Sequence, residues 1–169
     1  NILLGLGIGN WRLFTISPIG RAKDVAEFQL QPEQFVKLMN FIESCRNEEK
    51  IMASFGCEGY LGGYEGKVRS GYYFCRAGIN IGSVLNDGSV SACPNNSRHV
   101  IQGNIYTDSF VDVWENKFQI MRNRSWAKQG QCEYCSSFNW CRGNGLHLRD
   151  FDKNDVAVCH LKLLQDGMQ

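Results

Sequence analysis

The sequence lacks the features that mark several large functional classes. It contains no run of about 18 apolar residues, which excludes an ordinary transmembrane helix. Neither sign of charge dominates, because 18 Lys and Arg stand against 17 Asp and Glu, so no overall field favours nucleic acid or an anionic membrane as a partner. The glycines between residues 56 and 71 form neither a G-x-G-x-x-G nor a Walker pattern, so no phosphate-binding loop is predicted.

The first residues of the sequence are not expected to form a signal peptide. Residues 1–9 are apolar but too short for a signal peptide, and no basic leader precedes them. They also lack an initiator Met and open inside a periodic apolar stretch. We therefore expect a cytoplasmic protein, and we expect the sequence to be a piece of a longer one.

Cysteine is the residue that the sequence has in excess, with eight among 169 residues. Such a count is typical of disulfide scaffolds or of metal–thiolate proteins. The spacing favours a metal, since Cys132 and Cys135 form a C-x2-C pair and Cys141 follows after five residues. Thiolates are soft ligands that select zinc, copper(I) or iron–sulfur clusters. A cubane cluster needs four of them, and these three cysteines with the distant Cys159 can supply that number.

The hydropathy pattern predicts an α/β layer in the first 55 residues. Residues 11–16 are almost all β-favouring types and predict a buried strand. Pro32 opens a predicted helix, whose apolar stripe consists of Phe35, Leu38, Met39 and Ile42. A second strand is predicted at residues 50–55. Strand, helix and strand in this order are the rhythm of an α/β fold.

The pattern changes at Gly56, where a glycine-rich connection over residues 56–71 begins. Short strands are predicted at 79–85 and 89–93, joined by Asp87-Gly88, which is a strong hairpin signal. A helix is then expected, capped by Asp108 or Ser109 and carrying a stripe of Phe110, Val113, Trp114, Phe118 and Met121. A last amphipathic stretch at 156–164 carries Cys159.

The cysteines follow an ordered pattern: Cys75-x12-Gly88-x4-Cys93, then Cys132-x2-Cys135-x5-Cys141, then Cys159. This order resembles the SPASM domain, the C-terminal auxiliary-cluster module of many radical S-adenosylmethionine (SAM) enzymes, whose pattern is C-x(9–15)-G-x4-C, C-x2-C-x5-C-x3-C and a last C. The sequences at 86–94, 103–105, 113–114 and 141–143 also look familial. The resemblance covers about residues 72–160. Residues 1–55 resemble the last strands and helices of the partial (β/α)6 barrel of such enzymes.

The resemblance implies a fold and a set of ligands. Residues 1–55 would be the C-terminal remnant of the barrel, 56–71 a connection, and 72–169 a small cysteine-rich domain with a β-hairpin and helices. The second auxiliary [4Fe–4S] cluster would be held by Cys132, Cys135, Cys141 and Cys159, with zinc as a substitute metal. The first would be held by Cys75 and Cys93.

The sequence departs from the family pattern at this first site. Gly145 stands where the last cysteine of C-x5-C-x3-C belongs, and the nearest upstream cysteine is the distant Cys57. We therefore expect a degenerate first site, with Cys57 or His147 as candidates for a further ligand. Because two thiolates hold a cubane poorly, we expect an empty site in which Cys75 and Cys93 pack as small hydrophobes or pair as a disulfide. The hairpin itself should form without metal.

Several other residues have ordinary interpretations. Cys45 is expected to be a buried structural thiol beside the helix stripe. His99 and His147 are expected at the surface or hydrogen-bonded, and His160 is expected to point away from its neighbour Cys159. Arg21 follows the predicted strand, and we expect it to be exposed or salt-bridged.

The eight cysteines include no C-x3-C-x2-C loop, which the SAM-binding cluster requires. The resemblance implies that this loop would precede Asn1, so no residue of the chain is expected to be catalytic and SAM would be bound only by the missing part. The sequence thus predicts the auxiliary iron–sulfur portion of a radical SAM enzyme acting on a peptide or protein, serving electron transfer or substrate positioning. Two alternatives stay open: a non-catalytic zinc–thiolate module that folds the domain or binds a partner, and an extracellular domain with eight oxidised thiols.

Overall fold

The computed structural model describes residues 2–56 and 58–169. Its contacts divide the chain into two units, one comprising residues up to 74 together with 158–169, and the other comprising residues 75–157. The limits 1–55, 56–71 and 72–169 stay predictions; the division by contacts places 158–169, which include Cys159, with the first unit. Among the residues described, none of the helices is long and apolar enough to cross a bilayer.

The first unit is built on two parallel strands and two packed helices. A short helix α1 (Ile2–Gly5) precedes β1 (Asn10–Leu13), and β1 pairs in parallel with β2 (Met52–Phe55). The connection between the strands contains α2 (Pro32–Asn47), which packs against the final helix α6 (His160–Gly167). The mixture of helix and strand agrees with the predicted α/β class, while the barrel origin of this unit stays a prediction.

Helix α2 forms where its sequence pattern predicts. Pro32 occupies its first turn, where the missing N–H costs nothing, and the Gln34 side chain accepts the Gln31 N–H at 2.8 Å. The stripe lies in the core of the unit, whose buried residues are Phe35, Met39, Ile42, Ala53, Phe55, Leu61, Val68 and Leu164. At Gly167 a Cβ atom would lie 2.5 Å from the Pro32 carbonyl oxygen, so only glycine permits this approach of α6 to α2.

Helix α6 begins at His160, four residues after the start of the predicted amphipathic stretch. The earlier residues Asp155–Val156 form β7 instead, which pairs in antiparallel fashion with β6 (Arg149–Asp150). The Gln131 side chain donates to the Val156 carbonyl at 2.9 Å and stabilises this extended geometry. Pairing with β6 therefore keeps Val156 extended, and the helix begins only at His160.

The second unit contains a small antiparallel sheet of β3 (Ser83–Val84), β4 (Ser89–Ser91) and β5 (Gly103–Asn104), in that order. The predicted hairpin is confirmed, with strands shorter than expected. Gly88 has φ +80°, and the Asp87 carboxylate accepts the Ser89 N–H at 3.0 Å. An aspartate followed by a left-handed glycine is the turn chemistry that this connection requires.

The predicted helix after Ser109 is present but interrupted. The Ser109 hydroxyl accepts the Asp112 N–H, and the helix runs through α3 (Phe110–Asp112), a π turn (Val113–Lys117) and α4 (Gln119–Arg122). The helix stripe supplies part of the buried cluster of this unit, which consists of Ala77, Val90, Ala92, Val100, Val113, Phe118, Met121 and Leu146. One more short helix, α5 (Phe138–Cys141), lies in the cysteine-rich segment.

Candidate metal centre

Three of the predicted ligands lie on consecutive turns of the second unit. Cys132 closes a 3-10 turn and is buried, and the Cys135 N–H donates to its carbonyl at 3.3 Å. The Phe138 N–H donates in turn to the Cys135 carbonyl at 3.1 Å, and α5 then ends at Cys141. Cys135 and Cys141 are half-buried. The three thiols thus lie on consecutive tight turns within ten residues of chain.

The segment after Cys141 has unusual backbone geometry. Arg142, Gly143 and Asn144 all have left-handed φ values, of 53°, 77° and 72°, before Gly145 returns to φ −65°. Left-handed geometry at a non-glycine residue costs about 1–3 kcal/mol, and such residues cluster at functional sites. The Arg149 guanidinium donates to the Gly143 carbonyl at 3.2 Å and helps to hold the segment.

Asp155 anchors the turn that precedes Cys132. Its carboxylate accepts the Gln131 N–H at 3.2 Å and the Val156 N–H at 2.7 Å. Burial acts to raise the pKa of Asp155, but these hydrogen bonds and the Arg149 charge outweigh it and hold the pKa below its usual value. The carboxylate therefore stays charged at neutral pH and anchors the turn that precedes Cys132.

Cys159, the fourth predicted ligand, belongs to the first unit. It precedes α6 directly, and its carbonyl accepts the Leu163 N–H at 3.0 Å. In residues 2–56 and 58–169, no three His, Cys, Asp or Glu side chains are arranged to hold a metal ion. A common centre for Cys132, Cys135, Cys141 and Cys159 therefore stays a prediction.

The first predicted site lies in the second unit. Cys75 and Cys93 are both half-buried and pack against the same apolar cluster, and the thiol of Cys75 is free. Leu146, next to Gly145, is a member of that cluster. The position that the family pattern gives to a cysteine therefore lies beside a residue of the cluster against which this pair packs. Cys57 lies outside the described residues, so its candidacy as a ligand also stays a prediction.

The histidines and Arg21 occupy ordinary positions. His99 is exposed, with Nε2 3.6 Å from an Asp152 carboxylate oxygen. His147 is half-buried, and burial lowers its pKa, so the ring is neutral at pH 7. Arg21 is exposed in a 3-10 turn, and Cys45 is half-buried against the core of the first unit.

One buried polar network was not predicted from the sequence. In the first unit Glu58 is 6% exposed and accepts both the N–H, at 3.0 Å, and the hydroxyl of Thr15. His160 Nε2 lies 3.4 Å from the Thr15 hydroxyl, and its ring packs on Phe35 and Phe55. Burial raises the pKa of Glu58. No motif marks these residues, because a lone glutamate in a glycine-rich stretch and a histidine beside a cysteine are common at surfaces.

Comparison with known proteins identifies one domain. Residues 75–136 match the family model of SPASM, an iron-sulfur cluster-binding domain. No curated protein and no solved structure matches the chain. The match covers the hairpin, the interrupted helix and the C-x2-C pair, and it supports a SPASM-domain protein that binds an iron–sulfur cluster.

Proposed function

We propose that the chain is the auxiliary iron–sulfur portion of a radical SAM enzyme that modifies a peptide or protein. The observation that carries this proposal is the SPASM match over residues 75–136, which includes Cys75, Cys93, Cys132 and Cys135 in the family order. The SAM-cluster motif is not among the eight cysteines, so SAM cleavage belongs to another part of the enzyme.

The ligands of the cluster would be Cys132, Cys135, Cys141 and Cys159, around one [4Fe–4S] group. The donor set fits such a group in its chemistry, because it consists of thiols and contains none of the carboxylates that magnesium and calcium prefer. The buried Cys132 and half-buried Cys135 and Cys141 would shield the group from solvent. When bound, such a cluster supplies one-electron transfer. The chain itself binds and orients the cluster.

The partners and location follow from the same proposal. The substrate would be a peptide or protein bound by the whole enzyme, with the auxiliary domain relaying an electron, positioning the substrate, or both. Cysteines stay reduced and able to bind metal in a reducing compartment, which supports a cytoplasmic location.

Metal analysis of anaerobically prepared protein tests the proposal. We expect iron and acid-labile sulfide in equal amounts, and we expect Cys135→Ser to lose most of both. Cys45→Ser is the matched control. Cys45 packs against the apolar core of the first unit, so this substitution should leave the iron content unchanged. Zinc without sulfide in the wild-type protein would overturn the iron–sulfur assignment and favour the zinc–thiolate module.

A further inference from the structure

The small sheet of the second unit has two edges of different kinds. Its strand order is β3–β4–β5, so β3 lies at one edge and β5 at the other. At the β5 edge, the Asp108 carboxylate accepts the Asn104 N–H at 2.9 Å, and the Asp108 N–H donates to the Asn104 carbonyl at 2.7 Å. The backbone groups of Asn104 that could pair with a further strand are therefore already satisfied within the chain.

The β3 edge is open. The Leu85 N–H donates to the Ser89 carbonyl at 2.8 Å, and the register pairs Val84 with Val90. Successive residues of an antiparallel strand direct their N–H and C=O groups to opposite sides, so those of Val84 point away from β4. Val90 agrees with this register, because its carbonyl accepts the Gln102 N–H at 3.0 Å from the β5 side. In the part of the chain that the structure describes, no strand pairs with the outer side of β3.

The composition of the β3 edge differs from that of a protected edge. Residues 79–85 contain no charged residue and no proline, which are two common means of blocking an edge strand. Ile81 is 38% exposed and Val84 is 47% exposed. The other edge carries the ion pair of Asp108 and Lys117. The β3 edge thus offers unpaired backbone groups and apolar side chains, with no charge of its own to repel an added strand.

An aromatic surface lies beside the β3 edge. A Cβ atom at Gly82 would lie 3.1 Å from the Trp114 ring and 3.3 Å from the Phe110 ring, so both rings pack over this glycine. Gly82 and Val84 share one face of the extended segment, because successive side chains alternate between faces. A strand added at this edge would place every second side chain on that face, beside the half-exposed Phe110. The edge therefore favours a segment with apolar residues at alternate positions.

We propose that the outer edge of β3 binds an extended, uncharged segment of the peptide or protein substrate, which adds to the sheet as a further strand. This inference rests on the proposed function, which makes the partner a polypeptide. Strand addition takes its affinity from backbone hydrogen bonds and its specificity from alternate side chains. A second copy of the chain fits this edge less well, because β3 has only two residues and a stable interface buries about 1,200–2,000 Å².

Peptide binding to the full chain tests the inference. The probe is a short fluorescein-labelled peptide of alternating valine and threonine, and its binding is measured by fluorescence anisotropy. Two further peptides carry N-methyl groups at all valines or at all threonines. In an added strand only one of these sets of amides faces β3. We therefore expect one methylated peptide to bind about tenfold more weakly, the effect of one or two lost hydrogen bonds, and the other to bind like the probe.

The chain offers a matched pair of variants at the edge. Val84→Pro removes the outward N–H and leaves the pairing of Ser83 with Ser91, so binding should weaken by about tenfold. Val84→Thr keeps the N–H and a branched side chain, and its affinity should equal that of wild type. Hydrogen exchange adds a local measurement. The peptide should slow exchange of the Val84 amide and leave that of Leu85, which already donates to Ser89, unchanged.

Three results would overturn the inference. No binding at about 1 mM peptide would show that the edge does not accept a strand. Equal affinities of the two methylated peptides would show apolar adsorption without strand pairing, and this result needs no protein variant to fold. Self-association of the chain that Val84→Pro abolishes would show that a second copy covers the edge. Iron and sulfide in the wild-type protein would leave the proposed function standing in each case, whereas peptide binding without iron would remove the auxiliary-cluster role and keep the binding edge.

Discussion

Among the residues that the structure describes, each unit buries an apolar cluster of eight residues, and the two clusters are organised differently. The first unit builds its cluster on the 16-residue helix α2 and a parallel strand pair, and its members include Phe35, Phe55 and Met39. The second unit has strands of two or three residues, an interrupted helix and repeated 3-10 turns, and five of the eight residues of its cluster are Ala or Val. Long regular elements thus accompany the larger side chains.

This difference teaches where each unit obtains its stability. A long amphipathic helix packed on strands is stabilised mainly by apolar burial. Strands this short are marginal on their own, and small domains with weak cores commonly depend on disulfides or metals. The cysteines predicted to bind metal are concentrated in the unit with the weaker regular structure. We infer that metal–thiolate bonds supply the second unit with the order that packing supplies to the first.

Removal of the metal should have the largest effect on stability. It should destabilise the second unit and leave the first unit folded. Structural zinc sites contribute on the order of 10–16 kcal/mol of apparent binding free energy in small peptides. After anaerobic chelation, or in Cys135→Ser, we expect residues 75–157 to lose amide protection while α2 keeps it. Hydrogen exchange resolved by peptide measures this. Equal protection of residues 75–157 with and without metal would contradict a metal-dependent unit.

A large-to-small change in the first core should give the opposite pattern. Phe35 is fully buried, so Phe35→Ala should lower the free energy of unfolding by about 3–5 kcal/mol. Iron content should change less than in Cys135→Ser, because Phe35 lies in the apolar core of the first unit and is not a predicted ligand. Urea unfolding and metal analysis together check this. Phe28→Ala, at a half-exposed phenylalanine, is the control, and a similar loss there would show that packing of Phe35 is not the cause.

A cysteine at position 145, where the family pattern has one, should add a ligand to the first site in the second unit. Gly145 has φ −65° and ψ 137°, a geometry that any residue adopts, so Gly145→Cys should be tolerated by the backbone. We expect more iron per chain and a smaller rise in stability than the loss in Cys135→Ser. Gly145→Ser is the control for the added side chain. The same iron content in both variants would show that position 145 does not reach the first site.

The smallest effect concerns an exposed ion pair beside the small sheet. The hydrogen bond from Lys117, with those from Asn104 and Thr107, lowers the pKa of Asp108 from its ordinary 3.8 to about 2. Because the folded pKa is depressed, this stabilisation is present above pH 3.8 and is lost as the pH falls through about 2. Asp108→Asn should therefore be less stable than wild type at pH 7, by an amount that narrows towards pH 2.

Urea unfolding of both proteins between pH 2 and 7 measures that difference. Solvent and salt screen the pair, so the difference should stay small. Lys117→Gln is the partner control and should reproduce part of the pH dependence. A difference that does not change with pH would mean that Asp108 acts only as a hydrogen-bond acceptor for Asn104.

Local signals predicted most of the elements that place the candidate sites. Pro32 and the stripe behind it predicted α2, and Asp87-Gly88 predicted the hairpin, because turn and capping chemistry act within a few residues. The amphipathic stretch predicted at 156–164 is helical only from His160, since Val156 belongs to β7, which pairs with β6. The π turn after Asp112 was also not predicted. The apolar stripe gave no sign of it, because Val113, Phe118 and Met121 are buried even with the wider spacing of a π turn.

The sequence by itself determined the order of the thiols, the hairpin and the helix that organises the first unit. Only the tertiary structure decided which polar groups are buried together. Thr15 meets Glu58 across 43 residues and His160 across 145, and Arg124 reaches the Cys75 carbonyl across 49. No local pattern encodes such pairs, because each of these side chains is ordinary at a surface. They become informative when packing removes water from around them and leaves each charge or hydrogen bond to be satisfied within the fold.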